Sequence, residues 1–257
     1  MWLSANKLKL NLSKCKYIIF HHPQKKMDNI GPLIKINNSP IEKVSQFDFL
    51  GLTLDETLTW KPHINKISNK ISRTTGLLNR LKNHLPSYIL KTIYNSIILS
   101  HINYCITLWG FNQQRVFKLQ KKSIRIISKT TYNSHTSPLF KRHDLLKIND
   151  LFNLSCLKVF HKFLNNKLPS YFNNFFTFSS HHYFTRSKRP LQPYCRTTLA
   201  KKCLKNYVPK LISTTPEVVA SKIYSHSLEG FSHYFKAFNI SNYQDTCDLN
   251  NCYICSR

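Results

Sequence analysis

Three of the chain's 11 acidic residues lie within nine positions, in FDFLGLTLDE, although the formal net charge is +27. Carboxylates that converge on one point can bind catalytic metals or act as general acid and base. Asp55 and Glu56 are adjacent, so a strand that continues through them points them to opposite faces. In the same strand, Asp48 lies on the face opposite Asp55. The acids therefore do not converge locally, and a structural role at the start of a following helix is predicted for them.

The C-terminal DTCDLNNCYICSR contains a second set of chemically active side chains, Cys247, Cys252 and Cys255. Cys252-x-x-Cys255 has the spacing of zinc ligands, and thiolates suit tetrahedral zinc. A fourth ligand would have to come from a distant part of the chain, and the candidates are Cys203, His226 and His233. The alternatives are a Zn²⁺ site and an ordinary tail with free thiols.

The charge balance predicts a polyanionic partner. Lys and Arg number 38 and are spread along the whole chain. Each phosphate that they neutralise releases counterions, which favours nucleic-acid binding. AT-rich coding DNA would explain many of the lysines but not the shortage of acids. With 5 glycines and no GxGxxG or GxxxxGK[ST] string, a fold built on glycine-rich phosphate loops is disfavoured.

The chain carries eight cysteines at irregular spacing and no secretory leader, which favours reduced thiols. The predicted location is therefore the nucleus or the cytoplasm, or both, and not the secretory route. The apolar stretch ILKTIYNSIILSHINYCITLWG is interrupted by Lys91, Asn95, His101 and Asn103. No membrane partner is expected, because no uncharged apolar run is long enough to span a bilayer.

The periodicity of apolar residues changes near residue 56. Before it, LKLNLSKCKYIIF and FDFLGLTLD alternate and predict strands, and Gly, Pro and Asn between them predict hairpins. From Trp60 the spacing becomes three to four, which predicts a helix ending at Pro86. Further helices are predicted over 87–108, 113–128, 144–166 and 221–238. The fold class is α+β, a short β-hairpin region followed by a mostly α-helical part.

Four segments follow from this pattern. Residues 1–56 form the β region and 57–168 a helical domain, while 169–220 is a loop-rich basic linker and 221–257 a helix with the cysteine-containing tail. Within the linker, HHYFTRSKR combines aromatic and basic residues. Such a stretch can stack unpaired bases, or it can pack its aromatic rings on the helical domain.

Several strings occur in an order that resembles the reverse transcriptases of non-LTR (LINE-like, jockey-type) retrotransposons. They begin with WLSANKLKLNLSKCKYIIF, FDFLGLTLDETLTWKPHI and KISRTTGLLNRLK. The similarity continues through YCITLWG, LQKKSIRII, HHYFTRSKRP and CRTTLAKKCLKNYVPKL. The resemblance spans nearly the whole chain. It implies the end of the polymerase palm, the primer grip, the helical thumb and a C-terminal extension.

The resemblance also implies residue roles. LNLSK matches a palm motif in which Lys14 would donate a proton to the leaving pyrophosphate, and Phe49-Leu50-Gly51 matches the hairpin that holds the primer terminus. Cys15 stands where the family usually has Thr. The expected nucleic-acid-binding side chains are those of Phe49, Leu50, Gly51, Lys61, Lys66, Lys70, Arg73, Arg80, Lys82, Lys118, Lys121, Lys122, Arg125, Arg186, Lys188 and Arg189.

The family's metal-binding aspartates are not matched, because the sequence contains no Asp-Asp pair. Met1 directly precedes the Trp of the family's WLSANKL string, so a start inside a longer reading frame is expected. The expectation is a fragment of an RNA-directed DNA polymerase that binds RNA and RNA–DNA or DNA duplex but lacks the catalytic aspartates. Mg²⁺, dNTPs and the missing upstream polymerase part belong to the intact enzyme. The alternatives are a catalytically inactive nucleic-acid-binding helical protein and a non-functional retroelement remnant.

Overall fold

A computed structural model describes residues 5–7, 9–22, 24, 34–36, 38–178 and 189–244. The residue contacts divide the chain into two units, Met1–Lys66 and Ile67–Arg257. The first unit contains the strands, and the second is helical. An α+β fold with a short β region followed by a mostly helical part is thus confirmed.

The strands of the first unit are short. They are β1 (Lys16–Tyr17), β2 (Lys35–Ile36), β3 (Ser39–Pro40), β4 (Glu42–Lys43), β5 (Gln46–Phe49) and β6 (Leu52–Asp55). β1 pairs with β4 in parallel, β2 with β3 antiparallel, and β5 with β6 antiparallel. No described strand therefore pairs with more than one neighbour.

The hairpin of β5 and β6 has a two-residue turn, Leu50-Gly51, with φ angles of 47° and 81°. Two positive φ angles are the mark of a type I′ turn, whose twist matches that of the flanking strands. Glycine adopts this conformation without strain, whereas Leu50 does so at a cost. The register pairs Asp48 with Thr53 and Gln46 with Asp55.

Two predictions for this region are wrong. Asp48 and Asp55 do not face opposite sides, because the chain reverses at Leu50-Gly51 and the register places both on the face of Thr53. The stretch 8–20 is not one strand, since Leu12–Lys14 forms a 3₁₀ turn. The Asn11 carboxamide accepts hydrogen bonds from the Ser13 N–H at 3.1 Å and the Ser13 hydroxyl at 2.6 Å, and such local bonds compete with strand pairing.

Helices account for most of the rest of the described chain. They are α1 (Lys61–Leu81), α2 (Ser87–Ile93), α3 (Ser100–Asn103), α4 (Ile106–Trp109), α5 (Gln114–Ile127), α6 (Ser137–Arg142), α7 (Ile148–Leu164), α8 (Thr198–Lys202), α9 (Leu204–Thr214), α10 (Glu217–Ser225) and α11 (Leu228–Ser241). α1 lies close to its predicted position, and α5 and α7 match predicted helices. None of the described helices is long and apolar enough to cross a membrane.

The single helix predicted over 87–108 is interrupted twice. A π-helical segment, Tyr94–Leu99, separates α2 from α3. The left-handed Cys105, with φ of 49°, separates α3 from α4. Gly110 directly follows α4, and its backbone lies very close to the Phe152 ring. A Cβ atom at this position would lie 2.3 Å from the ring. Any larger residue at position 110 would therefore displace this ring.

The helical unit has a dense core. Its largest fully buried side chains are Trp109, Tyr94, Phe140, Phe160 and Phe231. Gln120 on α5 is also fully buried. Its amide donates to the Tyr94 hydroxyl at 2.9 Å and the Leu146 carbonyl at 3.1 Å, and its oxygen accepts from the Ile148 N–H at 3.0 Å. A buried amide with all these partners fixes α5 against the start of α7.

The structure differs from the prediction after residue 197. The segment predicted to be loop-rich contains α8, α9 and the start of α10. Leu204, Val208 and Ile212 recur at a spacing of four, and the last two are buried, so α9 is an amphipathic helix despite Pro209. The single final helix is two helices, because the Ser227 hydroxyl accepts from the Gly230 N–H at 3.1 Å and caps α11.

Candidate nucleic-acid interface

The turn from β6 into α1 is built around the buried carboxylate of Asp55. This carboxylate accepts from the N–H groups of Thr59 and Trp60, both at 2.9 Å, and from the hydroxyls of Thr57 at 2.9 Å and Thr59 at 2.8 Å. Burial alone would raise the pKa of Asp55, but these hydrogen bonds outweigh it and lower the pKa below 3.8. The predicted structural role is confirmed for Asp55.

The tip of the hairpin in the first unit exposes apolar side chains. Phe49 is 54% exposed and Leu50 is 74% exposed. Behind the tip, the Asp48 carboxylate accepts from the Thr53 hydroxyl at 2.5 Å and from the Lys66 ammonium at 2.7 Å. These two hydrogen bonds hold the pKa of Asp48 below its ordinary value, and the one from Lys66 has the larger effect. Lys66 is therefore an ion-pair partner of the hairpin, while Lys61 at the start of α1 is exposed.

The part of α1 in the helical unit presents a basic face. Lys70, Arg73 and Arg80 are exposed and lie on one side of the helix. At 1.5 Å per residue, the face from Lys70 to Arg80 is about 15 Å long. None of these three side chains pairs with an acidic residue among those the structure describes. We call Lys70, Arg73 and Arg80 the α1 basic face. Lys82, just after the helix, is half-exposed.

The second basic helix, α5, packs against α1 through small polar residues. The Thr75 and Ser123 hydroxyls lie 2.9 Å apart in the buried contact. Lys118 and Lys122 are exposed on α5, and Lys121 is half-exposed with its ammonium 4.5 Å from the Phe117 ring centroid.

Arg125 is different, because it is only 8% exposed. Its Nε donates to the Ser134 carbonyl at 2.8 Å, and its guanidinium stands 5.7 Å from the Tyr132 ring centroid. This arginine therefore holds the loop that follows α5.

A long stretch of the chain contains no acid at all. Between Glu56 and Asp144 the sequence has no Asp and no Glu, yet it contains the basic residues of α1 and α5. No carboxylate within this stretch can therefore neutralise those side chains. Burial lowers the pKa of His101, and the nearby positive charge of Lys70 lowers it further. Acids outside the stretch neutralise part of its charge, as Asp48 does for Lys66, but a surface with an excess of one charge still attracts polyanions.

Several predicted site residues lie elsewhere. Lys14 ends the 3₁₀ turn of the first unit and is exposed, and Arg189 is exposed in the helical unit. Arg186, Lys188, Cys247, Cys252 and Cys255 lie outside the described residues.

No group of three or more His, Cys, Asp or Glu side chains in the described ranges could hold a metal ion.

One polar cluster in the helical unit was missed by sequence reasoning. At the start of α7, the Tyr243 hydroxyl donates to the Asp150 carboxylate and accepts from the Lys147 N–H at 3.0 Å. The Lys147 ammonium lies 4.1 Å from the Tyr243 ring centroid and donates to the Ser137 hydroxyl at 2.9 Å. Because Tyr243 is 93 residues from Asp150, no local pattern in the sequence could have indicated this contact.

The comparisons with known proteins give one relative. The chain is 24% identical over 157 residues to the "RNA-directed DNA polymerase from mobile element jockey" of Drosophila melanogaster. The match covers 58% of this chain but 17% of that protein, so the chain spans a small part of its relative. No family model matches the chain, and no solved structure matches it significantly. The comparison supports the coarser form of the resemblance, a region related to a non-LTR retrotransposon reverse transcriptase.

Proposed function

We propose that this chain is the C-terminal part of a non-LTR reverse transcriptase and that it binds the template–primer duplex through α1 and α5. In this proposal the first unit is the end of the palm with the primer-grip hairpin. The helices from α1 to α7 are the thumb, and the later helices are the C-terminal extension. The support is the distant similarity to the jockey polymerase and the order of the matching strings.

The observation that carries the proposal is the acid-free stretch between Glu56 and Asp144 together with the exposed α1 basic face. A duplex carries one phosphate charge per about 1.7 Å of its axis, so a basic face of about 15 Å can contact several phosphates. Such contacts fix position without reading sequence, as a polymerase that copies any template requires. Arg125 is excluded from the proposed surface because its guanidinium is buried.

The exposed hairpin tip is the second part of the proposal. Phe49 and Leu50 would contact the sugar face of the primer end, and Lys14 would serve as proton donor in the intact enzyme. In the intact enzyme that the resemblance implies, Mg²⁺ and dNTPs would be bound by an upstream part that carries the aspartates. Zn²⁺ at the cysteine tail remains a separate proposal, which metal analysis of a Cys252→Ser/Cys255→Ser variant would test.

The proposal is tested by the affinity of the full chain for an RNA–DNA hybrid duplex. Lys70→Gln/Arg73→Gln removes two charges from the α1 basic face, while Lys162→Gln/Lys167→Gln removes two exposed charges from α7 and the turn after it. We expect the first variant to bind several-fold more weakly than the matched control. Equal affinities of the two variants would overturn the proposed surface.

The hairpin tip has its own variant. Leu50→Asn removes the exposed apolar side chain and keeps the turn, because Asn tolerates a positive φ. We expect weaker binding of a recessed primer end and unchanged binding of a blunt duplex. The chain alone should not incorporate dNTPs with any divalent metal, and metal-dependent incorporation would contradict its assignment as a non-catalytic fragment.

A further inference from the structure

The helical unit contains a groove of about 870 Å³ whose lining includes none of the residues of α1 and α5 proposed to bind duplex. It is formed by the segment that precedes α8, by α8 and α9, and by Phe111 just after α4. Its volume falls within the roughly 300–1,000 Å³ of typical ligand sites. This segment was predicted to be a loop-rich linker, so the groove was not foreseen.

One wall of the groove is a fixed aromatic cluster. The Phe111 ring packs edge-on against Phe152 at 4.7 Å and against Tyr207 at 4.9 Å between centroids. The Tyr207 hydroxyl donates to the Asn153 carboxamide at 2.8 Å, which fixes the ring. Gly110 allows the close approach of Phe152 to this cluster. The wall is therefore preorganised, which lowers the entropic cost of binding a flat ligand.

The groove is also lined by a strongly exposed aromatic ring. Tyr194 lines the groove and is 90% exposed. An aromatic ring with this exposure has little packing within the described chain to stabilise it. Together with Phe111 and Tyr207, it makes three aromatic side chains among the lining residues of one groove.

The charge of the groove is of one sign. Lys201, Lys202 and Lys210 line it, and no Asp or Glu is among its described lining residues. The Lys202 ammonium lies 3.4 Å from the Asn112 side-chain oxygen, whereas the ammonium groups of Lys201 and Lys210 have no ion pair in the described parts of the chain. Lysines beside exposed aromatic rings are the combination that binds single-stranded nucleic acid.

We propose that this groove binds an unpaired stretch of nucleic acid, with a base stacked on Tyr194 and phosphates held by Lys201 and Lys210. A duplex cannot occupy the site in this way, because its base faces are covered by their neighbours. The groove would thus hold single-stranded RNA or DNA through residues that the proposed duplex surface does not use. This site goes beyond the proposed function, since it concerns different residues and a different form of nucleic acid.

The test measures the affinity of the full chain for labelled oligouridine and oligothymidine of about 10 nucleotides, within the roughly 4–16 nucleotides that single-strand-binding folds cover. Tyr194→Ala should weaken binding of the single strand by about 5- to 150-fold, the loss of one stacked base. Tyr194→Phe should retain the wild-type affinity. Tyr171→Ala, at a tyrosine that is 93% exposed outside the groove, is the matched control and should have no effect.

Two further readouts separate this site from the duplex surface. Lys201→Gln/Lys210→Gln should reduce the salt dependence of single-strand binding by about 1.4 in log–log slope, at roughly 0.7 per phosphate contact. Tyr194→Ala should leave duplex affinity and the melting temperature unchanged. Suppose that Lys70→Gln/Arg73→Gln does not weaken duplex binding while Tyr194→Ala weakens single-strand binding. The proposed duplex surface is then wrong, and the proposed single-strand site in the groove is supported.

Three outcomes would overturn the proposal that the groove binds single-stranded nucleic acid. The first is single-strand binding by Tyr194→Ala that equals the wild type, and the second is no measurable single-strand binding by the wild-type chain. The third is a polyglutamate peptide that competes as well as the oligonucleotide, because the groove would then recognise only negative charge. The ratio of oligouridine to oligothymidine affinity distinguishes RNA from DNA as the natural occupant.

Discussion

The turn that leads into α1 and the first turn of α7 each hold an aspartate, and the two carboxylates have opposite surroundings. Asp55 receives all its hydrogen bonds from Thr57, Thr59 and Trp60, which follow it directly. Their donors favour the charged carboxylate and lower its pKa although burial opposes them. For Asp150, burial is the dominant influence and raises the pKa, and the hydrogen bond from Tyr243 only reduces this effect.

The difference shows two ways to hold the start of a helix. The turn at Asp55 is closed by side chains and N–H groups of one continuous segment, so it can form as soon as that segment does. The contacts of Asp150 are complete only when Tyr243, two residues after the end of α11, has reached α7. The first is a local device that suits a small unit with little core. The second links the end of the described helical unit to its centre.

Asp55→Ala should have the largest effect on the stability of the first unit. It leaves two N–H donors and two hydroxyls without their acceptor, which costs about 2–4 kcal/mol for hydrogen bonds to a buried charged group. Urea unfolding measures the loss, and amide hydrogen exchange at Thr59 and Trp60 locates it. Asp55→Asn, which keeps one acceptor oxygen, should lose less. A stability loss confined to the helical unit would contradict the local role.

Tyr243→Phe should destabilise the helical unit by about 1–3 kcal/mol, because the half-buried Asp150 carboxylate loses its donor and the Lys147 N–H loses its acceptor. Tyr171→Phe removes a hydroxyl from an exposed ring and is the control. The two variants are compared by urea midpoint. If they are equally stable, the Asp150–Tyr243 contact does not hold the end of the chain in solution.

The pH dependence separates the two aspartates by sign. Asp55 has a lowered pKa, so its contribution is present above about pH 4 and is lost as the pH falls through the folded value. Asp150 has a raised pKa, so its contribution is present below its ordinary value of 3.8 and is lost as the pH rises through the folded value. Each unit of pKa shift corresponds to about 1.4 kcal/mol.

Asp55→Asn should therefore make the chain less sensitive to acidification, and Asp150→Asn should make it more sensitive. Urea midpoints at about pH 3 and about pH 7 give the comparison, since titration of all other groups cancels between variants. If both substitutions change the sensitivity to acidification in the same direction, the two aspartates do not differ in the way that their surroundings indicate.

Asp48→Asn should have the smallest effect. The Asp48–Lys66 ion pair is largely exposed, at 59% and 40% for the two side chains, and such pairs contribute up to about 1 kcal/mol. The hydrogen bond to the Thr53 hydroxyl can be kept by the amide oxygen. High salt should reduce the difference in stability between Asp48→Asn and the wild type, because salt screens an exposed ion pair. Urea unfolding in low and high salt measures this difference.

Local patterns explain what the sequence could predict. α1, α5 and α7 have apolar residues at helical spacing, so the sequence predicts these helices. Asp55 lies close to its hydrogen-bond partners along the chain, so its structural role could be predicted as well. The hairpin turn at Leu50-Gly51 followed only from the family resemblance. Alternation runs through these two residues and conceals the reversal that places Asp48 and Asp55 on one face. Tyr243, Gln120 and the Phe111–Tyr207 contact join residues far apart in the chain, and no periodicity records such contacts.

The most direct test of the account is the salt dependence of RNA–DNA duplex binding by the full chain. We predict that log affinity falls linearly with log salt, and that Lys70→Gln/Arg73→Gln reduces the slope by about 1.8, at roughly 0.9 per phosphate contact. Lys162→Gln/Lys167→Gln should keep the wild-type slope. A wild-type affinity that does not depend on salt, or the same reduction in both variants, would contradict duplex binding by the α1 basic face.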